Sequence, residues 1–194
     1  MEKTEKLVYK PGVTLEGIYK AYSPRFGFLI TDDDHEDVYI GEDNHLNAVN
    51  NDKVEVKTIK GETGRHNTEG RITRVIERAN DTFVCTYEML KDGGEAVPID
   101  EKVDMVIEIP EGQEMEATTG ARVIVEVTEW PGKWTDAKGH VTEVIGYEGD
   151  KGLDIDIIIA QHRLPHVFSD ELMKEADAPV SYTHLRAHET LSDL

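Results

Sequence analysis

Residues 25–30 form a short apolar segment in which two phenylalanines flank a glycine, and a second apolar segment at 37–40 contains Tyr39. Because side chains alternate along a β-strand, Phe26 and Phe28 would share one face, with Leu29 on the opposite face. Tyr39 can join the phenylalanines from a neighbouring strand. Aromatic rings on an open strand face can stack single-stranded bases, at about 1–3 kcal/mol per base. The spacing therefore predicts a base-stacking surface.

A second interpretation fits the same residues. Phe26 and Phe28 could instead fill the core of a small β-barrel, as large apolar side chains usually do. The residues alone leave both interpretations open. The two differ in what alanine substitution should do, since surface rings affect binding and core rings affect folding.

The net charge of −19, from 40 acidic and 21 basic residues, opposes a nucleic-acid interpretation. Nucleic-acid binders normally present a basic patch to the phosphates. Any RNA binding by this chain should therefore be weak and depend on stacking plus a few local cations, for which Lys20 and Arg25 are the candidates. The alternative is an acidic module that binds a protein partner through its charged surface and has no RNA affinity.

The 194 residues include a single cysteine, Cys85, and the chain does not open with a basic and apolar leader. One cysteine cannot form an intramolecular disulfide, and a lone cysteine usually packs as a small buried apolar residue. No apolar run reaches the about 20 residues that span a bilayer. These features predict a cytoplasmic protein without membrane contact.

Short strand-like segments separated by turn residues favour an all-β chain of two small barrels over one large core. The strands of the first barrel are predicted at 15–22, 25–31, 37–40 and 53–59. The dipeptide Glu16-Gly17 recurs as Glu69-Gly70, which indicates a duplicated module. The strands of the second barrel are accordingly predicted at 71–78, 82–90, 102–109, 121–129 and 139–146, with turns at 92–94 and 110–112.

The segments Phe26-Gly27-Phe28-Leu29-Ile30 and Asp37-Val38-Tyr39-Ile40 resemble the paired RNA-binding motifs of cold-shock domains, which are five-stranded OB-type barrels. Those domains usually place a basic residue and then a glycine before the first phenylalanine. Here Pro24 and Arg25 occupy those positions, so the basic side chain is displaced by one residue. The resulting hypothesis is that the chain binds RNA through a defined set of residues. Base stacking is assigned to Tyr19, Phe26, Phe28 and Tyr39, and phosphate contact to Lys20 and Arg25.

The order of motifs is also similar to the N-terminal half of a ribonuclease R or ribonuclease II type exoribonuclease. The matching segments are Glu16-Gly17, Asn51-Asp52-Lys53-Val54, Glu69-Gly70-Arg71-Ile72 and Gly139-His140-Val141-Thr142, followed by Gly152-Leu153-Asp154-Ile155. The resemblance implies two tandem cold-shock OB-fold barrels, followed by a short α/β lead-in to a nuclease domain that hydrolyses RNA from the 3′ end. The Asp-rich cluster that holds Mg²⁺ in that domain has no counterpart here, so the chain is expected to be truncated before it, with no catalytic residue, metal or cofactor of its own.

These observations predict six parts. They are a lead-in at 1–14, a first barrel at 15–60, a linker at 61–68, a second barrel at 69–149, the start of a nuclease domain at 150–179 and a non-native tail at 180–194. The tail looks like translated adapter sequence, and a short helix is expected at 170–176. Asp154 and Asp156 alternate at the edge of an apolar run, which favours positions flanking a strand over metal ligands.

The remaining motifs give weaker signals. The acidic run at 32–37 lacks the glycine and glutamate of a calcium loop, and is interpreted as a solvated hairpin. Two histidine pairs four residues apart, at 162 and 166 and at 184 and 188, are poor candidates for zinc, since Pro165 interrupts the first and the second lies in the tail. Trp130 and Trp134 flank a loop containing Lys133, where they could stack a base or pin the loop to the second barrel.

Overall fold

The computed structural model describes residues 7–31, 35–59 and 68–163. Two closed five-stranded β-barrels follow one another along the chain, so the predicted all-β architecture of two tandem OB-type barrels is confirmed. The elements are β1 (Thr14–Ser23), β2 (Phe26–Ile30), β3 (Val38–Gly41), a 3₁₀ turn (Glu42–Asn44), β4 (Lys53–Ile59), β5 (Glu69–Glu77), β6 (Thr82–Leu90), β7 (Gly93–Pro98), β8 (Ile107–Ile109), β9 (Ala121–Glu129), β10 (Ala137–Tyr147) and α1 (Leu153–Gln161).

The first barrel closes in the order β1-β2-β3-β5-β4. Its strands alternate between buried and exposed positions, as strands with one solvated face must. Lys20 of β1 lies opposite Phe28 of β2, and Phe28 lies opposite Tyr39 of β3. The core contains the inward-facing residues Tyr19, Ala21, Leu29, Val38, Ile40, Ala48, Val54, Val56 and Ile72.

The strand β5 corrects the predicted domain boundary. It was expected to open the second barrel at residue 69, but it pairs antiparallel with β4 and parallel with β3 and so closes the first barrel. Both copies of the Glu-Gly dipeptide lie in the first barrel, so the second copy does not mark the start of a duplicated module. A Cβ atom on Gly17 would lie 2.5 Å from the Ile30 carbonyl oxygen, and one on Gly70 would lie 2.5 Å from Val56 Cγ1. Both glycines allow close approach within one barrel.

Because β5 belongs to the first barrel, the predicted linker at 61–68 does not connect the two barrels. Residues 61–67 lie outside the described residues, and Thr68 is buried, with its carbonyl oxygen accepting the Tyr39 N–H at 3.0 Å. The connection between the barrels is therefore the short segment 78–81, which follows β5 and precedes β6.

The second barrel repeats the same order with β10-β8-β7-β6-β9. The strands predicted at 82–90 and 121–129 are found at those positions. The strand predicted at 102–109 shortens to Ile107–Ile109, and β7 was missed because Gly93, Gly94 and Pro98 are turn-type residues. Cys85 is buried in the core, as expected, and burial raises the pKa of its thiol to about 12.

A helix replaces the strand expected near Asp154 and Asp156. Both aspartates fall in the first turn of α1, where the helix dipole favours carboxylates. Leu153 is buried, and its Cδ1 would lie 3.1 Å from a Cβ on Gly146 of β10, so α1 begins against the second barrel. The helix predicted at 170–176 and the tail at 180–194 lie outside the described residues. Among the helices of the described chain, none is long and apolar enough to cross a membrane.

An ion pair between a buried carboxylate and a partly buried guanidinium lies where the two barrels meet. Asp52 is 0% exposed and accepts the N–H groups of Val49 at 3.0 Å and Ala79 at 2.9 Å. Its Oδ2 pairs with the Arg78 guanidinium at 2.8 Å. Burial lowers the pKa of Arg78, and the charge of Asp52 opposes that shift. The guanidinium in turn lies 3.5 Å from the ring centroid of Trp130 in the second barrel.

Further contacts fix this junction. The Asn47 carbonyl oxygen accepts a hydrogen bond from the Arg78 guanidinium at 2.7 Å. The Asn47 side-chain amide donates a hydrogen bond to the Pro131 carbonyl oxygen at 2.9 Å. Val49, from the same loop, packs into the core of the second barrel. Of the two alternatives for Trp130, the structure supports a packing role.

Stability should decrease in alkali because of Tyr19. Burial raises the pKa of its hydroxyl from 10.0 to about 12. The contribution of the protonated hydroxyl to the free energy of unfolding is therefore fully present below about pH 10 and is lost as the pH rises towards about 12. The Tyr19→Phe variant removes this titration. We expect its urea midpoint to decline less steeply than that of the wild type above about pH 10. Equal slopes for the two proteins would contradict the assignment.

Candidate nucleic-acid interface

Four aromatic rings form one cluster on the outer face of β1, β2 and β3. We call this set, Tyr22, Phe26, Phe28 and Tyr39, the four-ring surface. Tyr22 and Phe26 are nearly parallel, with centroids 6.2 Å apart, and Phe26 and Tyr39 lie 6.0 Å apart. Phe28 contacts the other rings edge-on, at 5.5 Å from Tyr22 and 5.6 Å from Tyr39.

Strand alternation places these rings outside the core. Phe26 and Phe28 are half-buried, whereas Leu29 between Phe28 and Ile30 is 0% exposed. The predicted division of the two faces is confirmed, and the interpretation of both phenylalanines as core residues is wrong. Gly27 is required beneath the rings, because a Cβ there would lie 2.4 Å from the Lys20 carbonyl oxygen and 2.6 Å from the Tyr19 ring.

The position of Tyr19 corrects one predicted site residue. Tyr19 is 2% exposed and belongs to the core of the first barrel, so its ring is not available to stack a base. Neighbouring residues of β1 point to opposite faces, and Tyr22 is the tyrosine of this strand that reaches the surface, with 63% of its area exposed. Tyr22 was not among the predicted stacking residues, although it lies two residues from Lys20 and shares its face.

Lys20 lies at the edge of the four-ring surface, where a loop holds its ammonium group. The Lys20 ammonium donates to Oδ1 of Asn51. Asn51 adopts a left-handed backbone with φ 74°, which asparagine tolerates better than most residues. The Asn51 N–H donates to the Tyr19 carbonyl oxygen at 2.7 Å, and the Tyr19 N–H donates to the Asp52 carbonyl oxygen at 2.9 Å. The loop between the 3₁₀ turn and β4, which also contacts the second barrel through Val49, thus orders the cation beside the rings.

Arg25 lies in the turn between β1 and β2, directly before Phe26. Its side chain is exposed, and its backbone N–H donates to Ser23 Oγ at 3.2 Å. The two predicted cations therefore border the four-ring surface on different sides, one on a strand and one at the corner that precedes Phe26. Such an arrangement can attract a phosphate backbone while the rings take the bases.

The corresponding face of the second barrel has a different chemistry. In the first barrel, Lys20, Phe28 and Tyr39 lie side by side on adjacent strands. In the second barrel, the equivalent row consists of Glu88, Glu95 and Glu108. Carboxylates repel phosphate, so among the described residues this row makes the second barrel the poorer nucleic-acid surface. Because these glutamates lie on the second barrel, the net negative charge of the chain is compatible with a binding face on the first barrel.

No group of three or more potential ligands that could hold a metal ion occurs in the part of the chain that the structure describes. Asp154 and Asp156 are two residues apart on α1 and so do not face each other. These two carboxylates therefore do not form a magnesium site together. Residues 32–34 of the acidic run, His166 and the pair His184 and His188 lie outside the described residues.

Two closed five-stranded barrels in tandem, the first with an aromatic outer face, place the chain in the class of OB-fold proteins. Two family models match the chain. The model for the ribonuclease B OB domain matches residues 17–75, and the model for a cold shock domain matches residues 96–169. The first match includes most of β5, in agreement with its place in the first barrel.

Individual relatives agree with these family models. The chain is 32% identical over 184 residues to an acetazolamide-resistance protein of Synechocystis, and this match covers 90% of the chain and 24% of the relative. It is 28% identical to ribonuclease R of Acidithiobacillus ferrooxidans, over 83% of the chain and 37% of that enzyme. The chain thus spans well under half of either curated relative.

The fold also resembles ribonuclease R of Mycoplasma genitalium, solved in complex with ribose-methylated single-stranded RNA. The TM-score is 0.68 at 16% identity, over 84% of this chain and 26% of that one, which supports the fold. Taken together, the comparisons show that this chain carries the N-terminal OB and cold-shock domains of a ribonuclease R-family protein.

Proposed function

We propose that this chain is the single-stranded RNA-binding part of a 3′–5′ exoribonuclease that acts in RNA decay or processing. The observation that carries the proposal is the four-ring surface, with Lys20 held beside it. The RNA complex of the Mycoplasma genitalium enzyme supports it at the level of the family. Hydrolysis, and the magnesium ions it requires, belong in this proposal to the nuclease domain of the longer relatives, and the setting is the cytoplasm.

The rings would bind RNA with little preference for base sequence. Every base offers a π-face to an aromatic side chain, and the four rings lie close enough together to accept neighbouring bases. Lys20 and Arg25 would contact the phosphates between stacked bases. Phe26, Phe28, Tyr39 and Tyr22 are the stacking residues of the proposal, with Tyr22 replacing the buried Tyr19.

The small number of cations predicts weak salt dependence. Each neutralised phosphate of a single strand contributes about −0.7 to the slope of log K against log salt, so two cations give about −1.4. Affinity for a fluorescent single-stranded RNA of about 4 nucleotides, which fills only the four-ring surface, should then fall about sevenfold between about 50 and about 200 mM salt. Lys20→Met should weaken binding and reduce the slope by about 0.7.

A matched control is Lys91→Met, which removes a cation from the exposed turn between β6 and β7, on the second barrel. We expect it to leave both affinity and slope unchanged. Absence of RNA affinity at the lower salt concentration, where phosphate attraction is strongest, would contradict the proposed function. If the salt slope is steep and Lys20→Met binds RNA as tightly as the wild type, Lys20 is not the cation that contacts phosphate.

A further inference from the structure

The two tryptophans of the chain have different environments. Trp130 packs beneath the Arg78 guanidinium and edge-on to Phe83, with centroids 6.1 Å apart. Trp134, four residues later in the loop between β9 and β10, is 87% exposed. An indole usually buries most of its large apolar area, so such exposure is unusual. The ammonium of Lys133 lies 5.2 Å from the Trp134 ring centroid.

The loop that presents Trp134 is attached to both barrels. Within it, the Gly132 N–H donates to the Thr135 carbonyl oxygen at 3.0 Å and to its Oγ1 at 3.1 Å. The Pro131 carbonyl oxygen accepts a hydrogen bond from the side-chain amide of Asn47, which lies in the loop of the first barrel between the 3₁₀ turn and β4. The position of the Trp134 loop is therefore fixed relative to the first barrel, which bears the four-ring surface.

A cavity of about 470 Å³ lies between this loop and the first barrel. Ser23 and Pro24, at the corner between Tyr22 and Arg25, line one side of it, and the segment 131–133 lines another. A strand stacked on the four-ring surface that leaves by the Ser23 and Pro24 corner would cross this cavity on its way to Trp134.

The charges around the cavity suit a phosphate backbone. Its charged lining residues are Lys102, Lys133 and Asp104, so cations outnumber carboxylates in the lining of a chain whose net charge is −19. His45 also lines the cavity, and its burial lowers the pKa of the imidazole, which keeps it neutral at pH 7. Two cations and an exposed aromatic ring are the elements of a site for single-stranded nucleic acid.

We propose that Trp134 and Lys133 form a second base-stacking site for single-stranded RNA, reached across the cavity by a strand that already occupies the four-ring surface. This inference rests on the proposed function and extends the binding path to the second barrel. The contact is made by the loop, because the sheet face of that barrel presents the row of glutamates. A short oligonucleotide would fill the four-ring surface alone, and a longer one would engage both sites.

Tryptophan fluorescence tests this proposal with two lengths of single-stranded RNA, about 4 and about 16 nucleotides. Because the chain has two tryptophans, the difference between the wild type and Trp134→Ala, each saturated with RNA, reports Trp134. We expect only the longer RNA to quench this difference signal. Trp134→Ala should weaken binding of the longer RNA by about tenfold and leave binding of the shorter one unchanged.

The Trp134→Phe variant is the matched control, since it keeps a stacking ring and should retain the affinity for the longer RNA. Absence of quenching while the shorter RNA still binds would overturn the second site and leave the proposed function intact. Equal losses for both lengths in Trp134→Ala would also overturn it, because Trp134 would then act on the first site. If neither RNA binds the wild type, the proposed function fails and this inference fails with it.

Discussion

The double variant Phe26→Ala/Phe28→Ala is expected to lose at least about thirtyfold in affinity for single-stranded RNA. Each ring accounts for one stacked base, and stacking contributes about 1–3 kcal/mol per base. The fold should survive, because both rings face outward while Leu29 fills the core beneath them. Titration of a fluorescent oligonucleotide, together with thermal unfolding of the same samples, separates these two effects.

The control for this variant is Met89→Ala/Val97→Ala, which removes exposed apolar side chains from the second barrel. It should bind RNA as the wild type does. If the phenylalanine variant unfolds, the rings are structural after all. If it stays folded and binds RNA normally, the four-ring surface is not the binding site.

Removing the buried carboxylate at the barrel junction should have the largest effect on stability. We expect Asp52→Ala to lower the free energy of unfolding by about 2–3 kcal/mol, because hydrogen bonds to a fully buried carboxylate are lost. The substitution removes the acceptor of two backbone N–H groups, those of Val49 and Ala79. It also removes the ionic partner of Arg78, whose side chain is 21% exposed and keeps its hydrogen bonds to Asn47. Urea denaturation followed by circular dichroism measures the change.

An exposed ion pair on the same protein provides the comparison. Asp81 and Arg163 lie 3.7 Å apart with side chains about 60% exposed, so Asp81→Ala should cost less than about 0.5 kcal/mol. Asp52→Asn keeps one acceptor oxygen, enough for one of the two N–H groups, and should fall between the two. A loss for Asp52→Ala no larger than that for Asp81→Ala would contradict the role given to the junction.

Local alternation allowed part of the site to be predicted from the sequence. Phe26, Phe28 and Leu29 are close neighbours on one strand, so their division between two faces follows from the period of two. Tyr19 and Lys20 were both predicted to contact RNA, but they are adjacent on β1 and cannot both face outward. A shift of one residue exchanges the faces of a strand, and β1 alternates too loosely in sequence for its register to be fixed without its partners.

Long-range contacts account for what the sequence could not supply. The place of β5 depends on its pairing with β3 and β4, whereas its sequence only repeats a Glu-Gly dipeptide found in β1. The junction joins Asp52, Arg78 and Trp130, which are far apart in the chain and share no pattern. The contact of Asn51 with Lys20 likewise arises only when the loop is folded against β1.

Nuclear magnetic resonance spectra of the aromatic side chains, recorded during titration with single-stranded RNA, show directly whether the four-ring surface binds RNA. We expect large shifts for the ring protons of Tyr22, Phe26, Phe28 and Tyr39, and much smaller shifts for the buried rings of Tyr19 and Tyr87. Binding that leaves the four surface rings unshifted at saturating RNA would contradict this assignment of the binding site.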